Sequence, residues 1–244
     1  MGPFPDGVYR AQFPYYYRNP EGMPQEAALD YYLNSIKDVF EQCGPADSIA
    51  AIVVEPLQGE GGFIPALIEW VKAVRKICDE NGILLVADEV QTGFCRTGRM
   101  FATQYWEEAG VQPDILATAK SIAAALKTIE IMERDDLAGC SCEIGEKVSK
   151  RFNEWKEKYP VIGDVRGLGG MIGLEFVKDQ KSKEPYPEFS AAVISGCAKK
   201  GLMIEGAGTY GNVIRFLAPL VMTDEQLEAG LDIYESVIKE LLEK

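Results

Sequence analysis

ILLVADEVQTGFCRTGRMFATQYWEEAGVQPDILATAK, residues Ile83–Lys120, decides how the rest of this chain is read. Its opening run, Ile83 to Ala87, is short, apolar and rich in branched side chains. It is bounded by Asn81-Gly82 and followed by Asp88-Glu89, which is the pattern of a buried strand in a parallel sheet. A second run, Ile115 to Ala119, follows Pro113-Asp114 and stops at Lys120. In an open α/β sheet the carboxyl ends of the strands line the ligand crevice, so Asp88 and Lys120 are expected to face one cavity.

Outward from this stretch the same grammar repeats. Ile49 to Val54 reads as a strand stopped by Glu55-Pro56, and Leu57 to Gly62 as a glycine-rich loop able to turn tightly over a crevice. Pro65 to Glu80 reads as a helix with Pro65 near its first turn and Trp70, Val71, Val74, Ile77 and Cys78 on one face. Residues 26–43 have helical spacing, and 101–110 supply a second crossover. These elements predict right-handed βαβ units whose strands end at Glu55, Asp88 and Lys120. Residues 1–25, dense in proline and tyrosine, read as an extended arm.

Downstream the order changes. Helices are expected over 124–137 and 143–159, a bend over Asp164–Gly170, and a strand over Met171–Val177. A helix over Phe189–Lys200, strands at Leu202–Ile204 and Val213–Leu217, and a helix opened by the capping box Thr223–Gln226 complete the chain. This predicts a partial large domain over 1–126 and a small C-terminal α/β domain with antiparallel strands over 127–244.

The chain has 244 residues and a net charge of −13, which repels nucleic acid and anionic membrane surfaces. No apolar run approaches the ~18 residues of a membrane span, and no leader is evident. Six cysteines without a framework suggest free thiols in a reducing cytoplasm, and no metal-ligand pattern appears. The absence of histidine removes the commonest general base.

A carboxylate and an amine at neighbouring strand ends would have a shared purpose with a pyridoxal phosphate ring between them. The amine would condense with the aldehyde while the carboxylate kept the ring nitrogen protonated. From spacing alone, a solvated strand end for Lys120 and a metal ligand or helix cap for Asp88-Glu89 stay open. ADEVQTGFCRTGRMFA, with VVEPLQGEGGF before it and PDILATAKS after it, resembles the class III (subgroup II) aminotransferases, nearest the 4-aminobutyrate type.

The resemblance implies a fold-type I α/β enzyme that uses pyridoxal 5'-phosphate. It would pass an amino group from an ω-amino acid or related amine through an aldimine to 2-oxoglutarate in a ping-pong cycle, as a dimer. By motif position, Lys120 is similar to the cofactor lysine and proton-transfer base, and Asp88 to the ring-nitrogen partner. Val90 is similar to the residue on the ring face, and Gln91 to the one reaching the ring hydroxyl. Arg215 resembles the α-carboxylate arginine, Glu60 the glutamate that masks it, and Glu55 a carboxylate beside the ring, all three on the substrate side of the site.

Two departures accompany the match. The chain is expected to start where the family's large domain is half built, without the phosphate-holding turn. A block after Ser121 is expected to be missing between Ile122 and Ala125. These departures support an alternative, a catalytically impaired chain acting as a binding or assembly subunit. A nucleotide-binding α/β domain is excluded because no phosphate loop joins a strand to a helix. Cys95 stands where the family has glycine, and is strained if that position needs positive φ.

Overall fold

The computed structural model describes residues 6–118 and 122–243. In chain order the elements are α1 (Gln25–Gln42), β1 (Ala51–Val54), β2 (Leu57–Gln58), β3 (Ile64–Pro65), α2 (Ile68–Asn81), β4 (Leu84–Asp88), α3 (Gln104–Glu108) and β5 (Ile115–Ala117). There follow α4 (Ile122–Arg134), α5 (Leu137–Lys158), β6 (Ile162–Leu168), β7 (Met171–Phe176), α6 (Pro187–Lys199), β8 (Glu205–Ala207), β9 (Val213–Phe216) and α7 (Asp224–Leu242). They form two compact units, each discontinuous in sequence. The first takes residues through Val54, Ala66–Asp88 and Tyr105–Ala117, and the second takes Glu55–Pro65, Glu89–Gln104 and the chain from Thr118 onward.

The first unit is built on a parallel sheet of order β1-β4-β5. Asp88 closes the central strand opposite Ala117, so the carboxyl ends of β4 and β5 lie side by side as the sequence predicts. Asp114 fixes the entry to β5, since its Oδ2 accepts from the Leu85 N–H and from Arg75, each at 2.7 Å. Trp70, Val71, Val74 and Cys78 of α2, with Ala28, Tyr32 and Ile36 of α1, form one core with Val54, Leu85 and Ala87.

The opposite face departs from expectation. Val53, Val86 and Ile115 share a register row, and Val53, Ile115 and Leu84 are 65%, 47% and 44% exposed. A parallel sheet is ordinarily covered on both faces. Here the core built by α1 and α2 lies on the Leu85–Ala87 face, so the run read as fully buried is buried on one side only. Pro65 belongs to β3 and not to the first turn of α2, and the expected 101–110 crossover contains only the short α3.

The second unit holds a four-stranded antiparallel sheet of order β6-β7-β9-β8. Phe152 and Trp155 of α5, Phe189 and Val193 of α6, and Leu231, Tyr234 and Ile238 of α7 pack with Ile172, Leu174 and Ile214 of the sheet. Thr223 accepts from the Gln226 N–H while Gln226 caps the Thr223 N–H, so the predicted capping box is formed. Three expectations are corrected. The bend over Asp164–Gly170 is strand β6, paired with β7 through a turn at Gly169-Gly170. A side chain at Gly167 (φ 149°) would lie 1.9 Å from the Met171 carbonyl, so glycine is needed there. The third strand is Glu205–Ala207 and not Leu202–Ile204, because pairing with β9 decides it. Helix α5 begins at Leu137, well before 143, capped by Asp136 accepting from the Gly139 N–H at 3.2 Å.

Glu235 of α7 ties α5 to this unit. Burial alone would raise its carboxyl, but hydrogen bonds from Lys158, Tyr159, Lys239 and Arg151 outweigh that and hold it at about 2. A depressed folded value means that the stabilisation is complete above the ordinary 4.5 and is lost as pH falls toward about 2. Glu235→Gln is expected to lose about 1–2 kcal/mol at neutral pH after solvent screening. It is also expected to flatten the acid limb of a denaturation series between those pH values. Equal acid sensitivity in both proteins would refute the assignment.

Candidate active site

The segment after Asp88 is organised by Glu89. This side chain is fully buried, its Oε1 accepts from the Thr103 N–H at 2.7 Å, and its Oε2 accepts from the Thr92 hydroxyl. Sequence reading placed Glu89 beside Asp88 at the strand end and gave it no separate task. In the structure it closes the loop that carries Val90 and Gln91. The loop is tied further into the second unit, where Arg96 donates to the Ala218 carbonyl at 2.6 Å. Ser141 donates to the Arg96 carbonyl at 2.9 Å and accepts from the Gly170 N–H at 2.8 Å. Phe94 and Cys95 both have positive φ, 62° and 67°, in the tight turn at 94–100. The strain anticipated for Cys95 is therefore present, at a cost of about 1–2 kcal/mol.

Strands β2 and β3 form a small hairpin whose turn brings Gly59 and Glu60 into the same unit. Glu55 Oε1 accepts from the Gly59 N–H at 3.2 Å. The Gln91 side chain lies directly over Gly59, since a Cβ built there would fall 1.7 Å from Gln91 Oε1. That Oε1 is buried and has no hydrogen-bond partner among the described residues. An acceptor left in this way needs a donor from outside the described chain.

One residue further, Glu60 Oε1 meets Arg215 NH1 at 2.5 Å. The hairpin is held independently of that side chain. Gly208 donates to the Glu60 carbonyl at 2.9 Å, and Arg166 Nε donates to the Gly62 carbonyl at 2.9 Å. Arg166 in turn pairs with Glu175 at 2.7 Å and Asp164 at 2.9 Å. Arg215 has a second carboxylate partner that sequence reading missed, Glu205, at 2.8 Å from NH2. With the strand expected at 202–204, residue 205 fell outside it.

The predicted residues are thus distributed as follows. Glu55, Glu60, Val90, Gln91 and Arg215 lie in the second unit, with Gln91, Gly59, Glu60 and Arg215 in one chain of contacts. Val90 is half exposed. Asp88 belongs to the first unit, as the last residue of its segment Ala66–Asp88, and is half-buried at the end of β4. Lys120 lies outside the described residues.

Comparison with known proteins shows the family of the chain. The family model of the class-III aminotransferases matches residues 1–126 and 121–238, and the chain belongs to that family. It is 37% identical over 274 residues to a probable 4-aminobutyrate aminotransferase of Bacillus subtilis, covering 98% of this chain and 62% of the relative. It is 38% identical over 276 residues to a 5-aminovalerate aminotransferase of Pseudomonas putida, with 99% and 62% covered. An alanine/serine racemase of Pyrococcus horikoshii is 34% identical over 279 residues, covering 98% and 58%. Among solved structures, a thermostable (S)-enantioselective omega-transaminase from Thermomicrobium roseum superposes with a TM-score of 0.85 at 26% identity, covering 99% of this chain and 62% of that one. An amine transaminase from an uncultivated Pseudomonas species, in its PLP-bound form, gives 0.82 at 28%, covering 93% and 60%.

The chain is a fold-type I α/β protein of this family and spans about three-fifths of the length of the curated relatives it matches. The family match breaks over 121–126, where the sequence pattern jumps. The Bacillus alignment runs over 274 positions against the 244 residues present, so at least 30 positions have no counterpart inside this chain.

Pyridoxal 5'-phosphate is the cofactor of class-III aminotransferases, and the described residues fit it at one testable point. Gln91 Oε1, buried and unpartnered, is an acceptor suited to the ring hydroxyl. Gly59→Ala would displace the end of this flexible side chain and leave the backbone in place. The substitution is expected to weaken pyridoxal phosphate binding about tenfold, one hydrogen bond's worth, with little change in melting temperature. Equilibrium titration beside a thermal melt checks this, and unchanged affinity would contradict it.

Proposed function

We propose that the chain belongs to an aminotransferase that passes an amino group from an ω-amino acid, such as 4-aminobutyrate or a related amine, to 2-oxoglutarate in two half-reactions. The observation that carries this reading is the Glu60–Arg215 pair, which joins the turn of the hairpin touching Gln91 to strand β9, 155 residues further along the chain. An arginine fork suits the α-carboxylate of glutamate or 2-oxoglutarate. A masking carboxylate on a turn, its side chain 77% exposed, suits a site that must also accept an amine carrying no carboxylate there.

When bound, the cofactor supplies the electron sink that lets the amino-bearing carbon lose its proton. In this reading Asp88 holds the proton on the ring nitrogen, Val90 packs on the ring face and Gln91 accepts from the ring hydroxyl. Glu55 supports the turn at Gly59. Lys120 would hold the cofactor and move the substrate proton. The large domain would correspond to 1–126 and the small one to 127–244, in a cytoplasmic homodimer. Among the described residues no helix is long and apolar enough to cross a membrane.

The test is glutamate production from 2-oxoglutarate, made dependent on 4-aminobutyrate, 5-aminovalerate or a simple amine, with pyridoxal phosphate added. Glutamate formed with any of these donors supports the reading. Racemisation of an α-amino acid without glutamate formation would replace it with the chemistry of the racemase relative. A second reading, a binding or assembly subunit, is favoured by the uncovered apolar sheet face at Val53, Leu84 and Ile115. It predicts no turnover and a larger assembly on size-exclusion chromatography with light scattering.

A further inference from the structure

We propose that Glu205 determines specificity by keeping Arg215 paired when Glu60 withdraws, so that the site favours substrates with no carboxylate at that position. The inference rests on the reading of Arg215 as the carboxylate site. Strand β8 places Glu205 directly opposite Arg215 in the antiparallel ladder with β9. Its carboxylate lies 2.8 Å from NH2, while Glu60 occupies NH1. The two carboxylates are anchored differently. Glu60 stands on a hairpin turn, and its side chain can swing while Gly208 and Arg166 hold the backbone. The β8–β9 ladder holds the Glu205 backbone directly opposite Arg215, so its carboxylate stays within reach of the guanidinium when Glu60 leaves.

The charge count follows from this geometry. With both carboxylates in place the cluster carries one net negative charge. With Glu60 withdrawn it is neutral, where a lone arginine would present a full positive charge. An incoming α-carboxylate takes the place of Glu60 at NH1 and meets a second carboxylate on the other terminal nitrogen. The two-point grip that makes an arginine fork strong is then shared. Amines without that carboxylate lose nothing. Glu205 is 70% exposed, so water screens the repulsion, while the Arg215 side chain is only 14% exposed and feels most of what remains. An effect near the top of the range for exposed pairs is expected, about three- to fivefold in affinity.

Isothermal titration of the full chain, with pyridoxal phosphate added and 2-oxoglutarate as the probe, tests this. Glu205→Gln is expected to bind the probe about three- to fivefold more tightly, Glu205→Asp about as wild type, and Arg215→Ala not measurably. The affinity for n-butylamine, which has no carboxylate, is expected to be equal in wild type and Glu205→Gln. If Arg215→Ala loses the probe while Glu205→Gln binds it no better than wild type, the inference about Glu205 is overturned and the Arg215 reading stands. Absence of binding by the wild type, or equal binding by Arg215→Ala, overturns both.

Discussion

Arg166→Ala is expected to lower the unfolding free energy by about 3–5 kcal/mol. Its side chain is 10% exposed and that of its partner Glu175 is 1% exposed, at 2.7 Å. Asn212 supports Glu175 from the other side, through Nδ2 at 3.3 Å from Oε1. Truncation would leave Glu175 charged, buried and without its main counter-ion, and would take the donor from the Gly62 carbonyl. The uncompensated charge is the larger loss, because desolvation of a carboxylate outweighs one neutral hydrogen bond. A double variant separates these contributions. Arg166→Met with Glu175→Gln removes both charges and is expected to recover most of the stability. Urea denaturation of the three proteins decides the matter, and a loss below about 1 kcal/mol in Arg166→Ala would contradict the burial argument.

Arg215→Ala is expected to reduce kcat/KM for the 2-oxo acid about a hundredfold and to leave the half-reaction with a carboxylate-free amine within a fewfold of wild type. The size follows from losing a charge-assisted contact at a side chain 14% exposed, and from leaving Glu60 and Glu205 unpaired where the proposed function puts the substrate carboxylate. The asymmetry between the two half-reactions separates recognition from folding, since a merely structural salt bridge would damage both alike. Single-turnover absorbance changes with each substrate measure it. Equal losses in both half-reactions would remove Arg215 from substrate recognition.

Much of this architecture was legible because apolar runs bounded by turn residues mark parallel strands, and β1, β4 and β5 all lie within such runs. Strand β6 was not legible, because Asp164-Val165-Arg166-Gly167 mixes charge and glycine. Those residues are strand because β7 pairs with them and because Arg166 reaches Gly62 and Glu175. Glu205 escaped for a related reason. The apolar run Leu202–Ile204 looked like the strand, but ladder pairing with β9 selects the next three residues. The contact of Glu60 with Arg215 could be anticipated only from family resemblance, since no local pattern links positions 155 apart. The tasks of Glu89 and Ser141 left no sequence signal. Each satisfies backbone groups exposed by a loop whose path is set by tertiary contacts.

The account stands on Lys120 holding pyridoxal phosphate within this chain. The direct measurement is the absorbance spectrum of the protein after pyridoxal phosphate addition and desalting, compared with Lys120→Ala. A cofactor band retained by the wild type and lost in the variant is the predicted result. No retained band would contradict the claim and leave the assembly-subunit reading in its place, and the same band in both proteins would contradict it by removing Lys120 from cofactor binding.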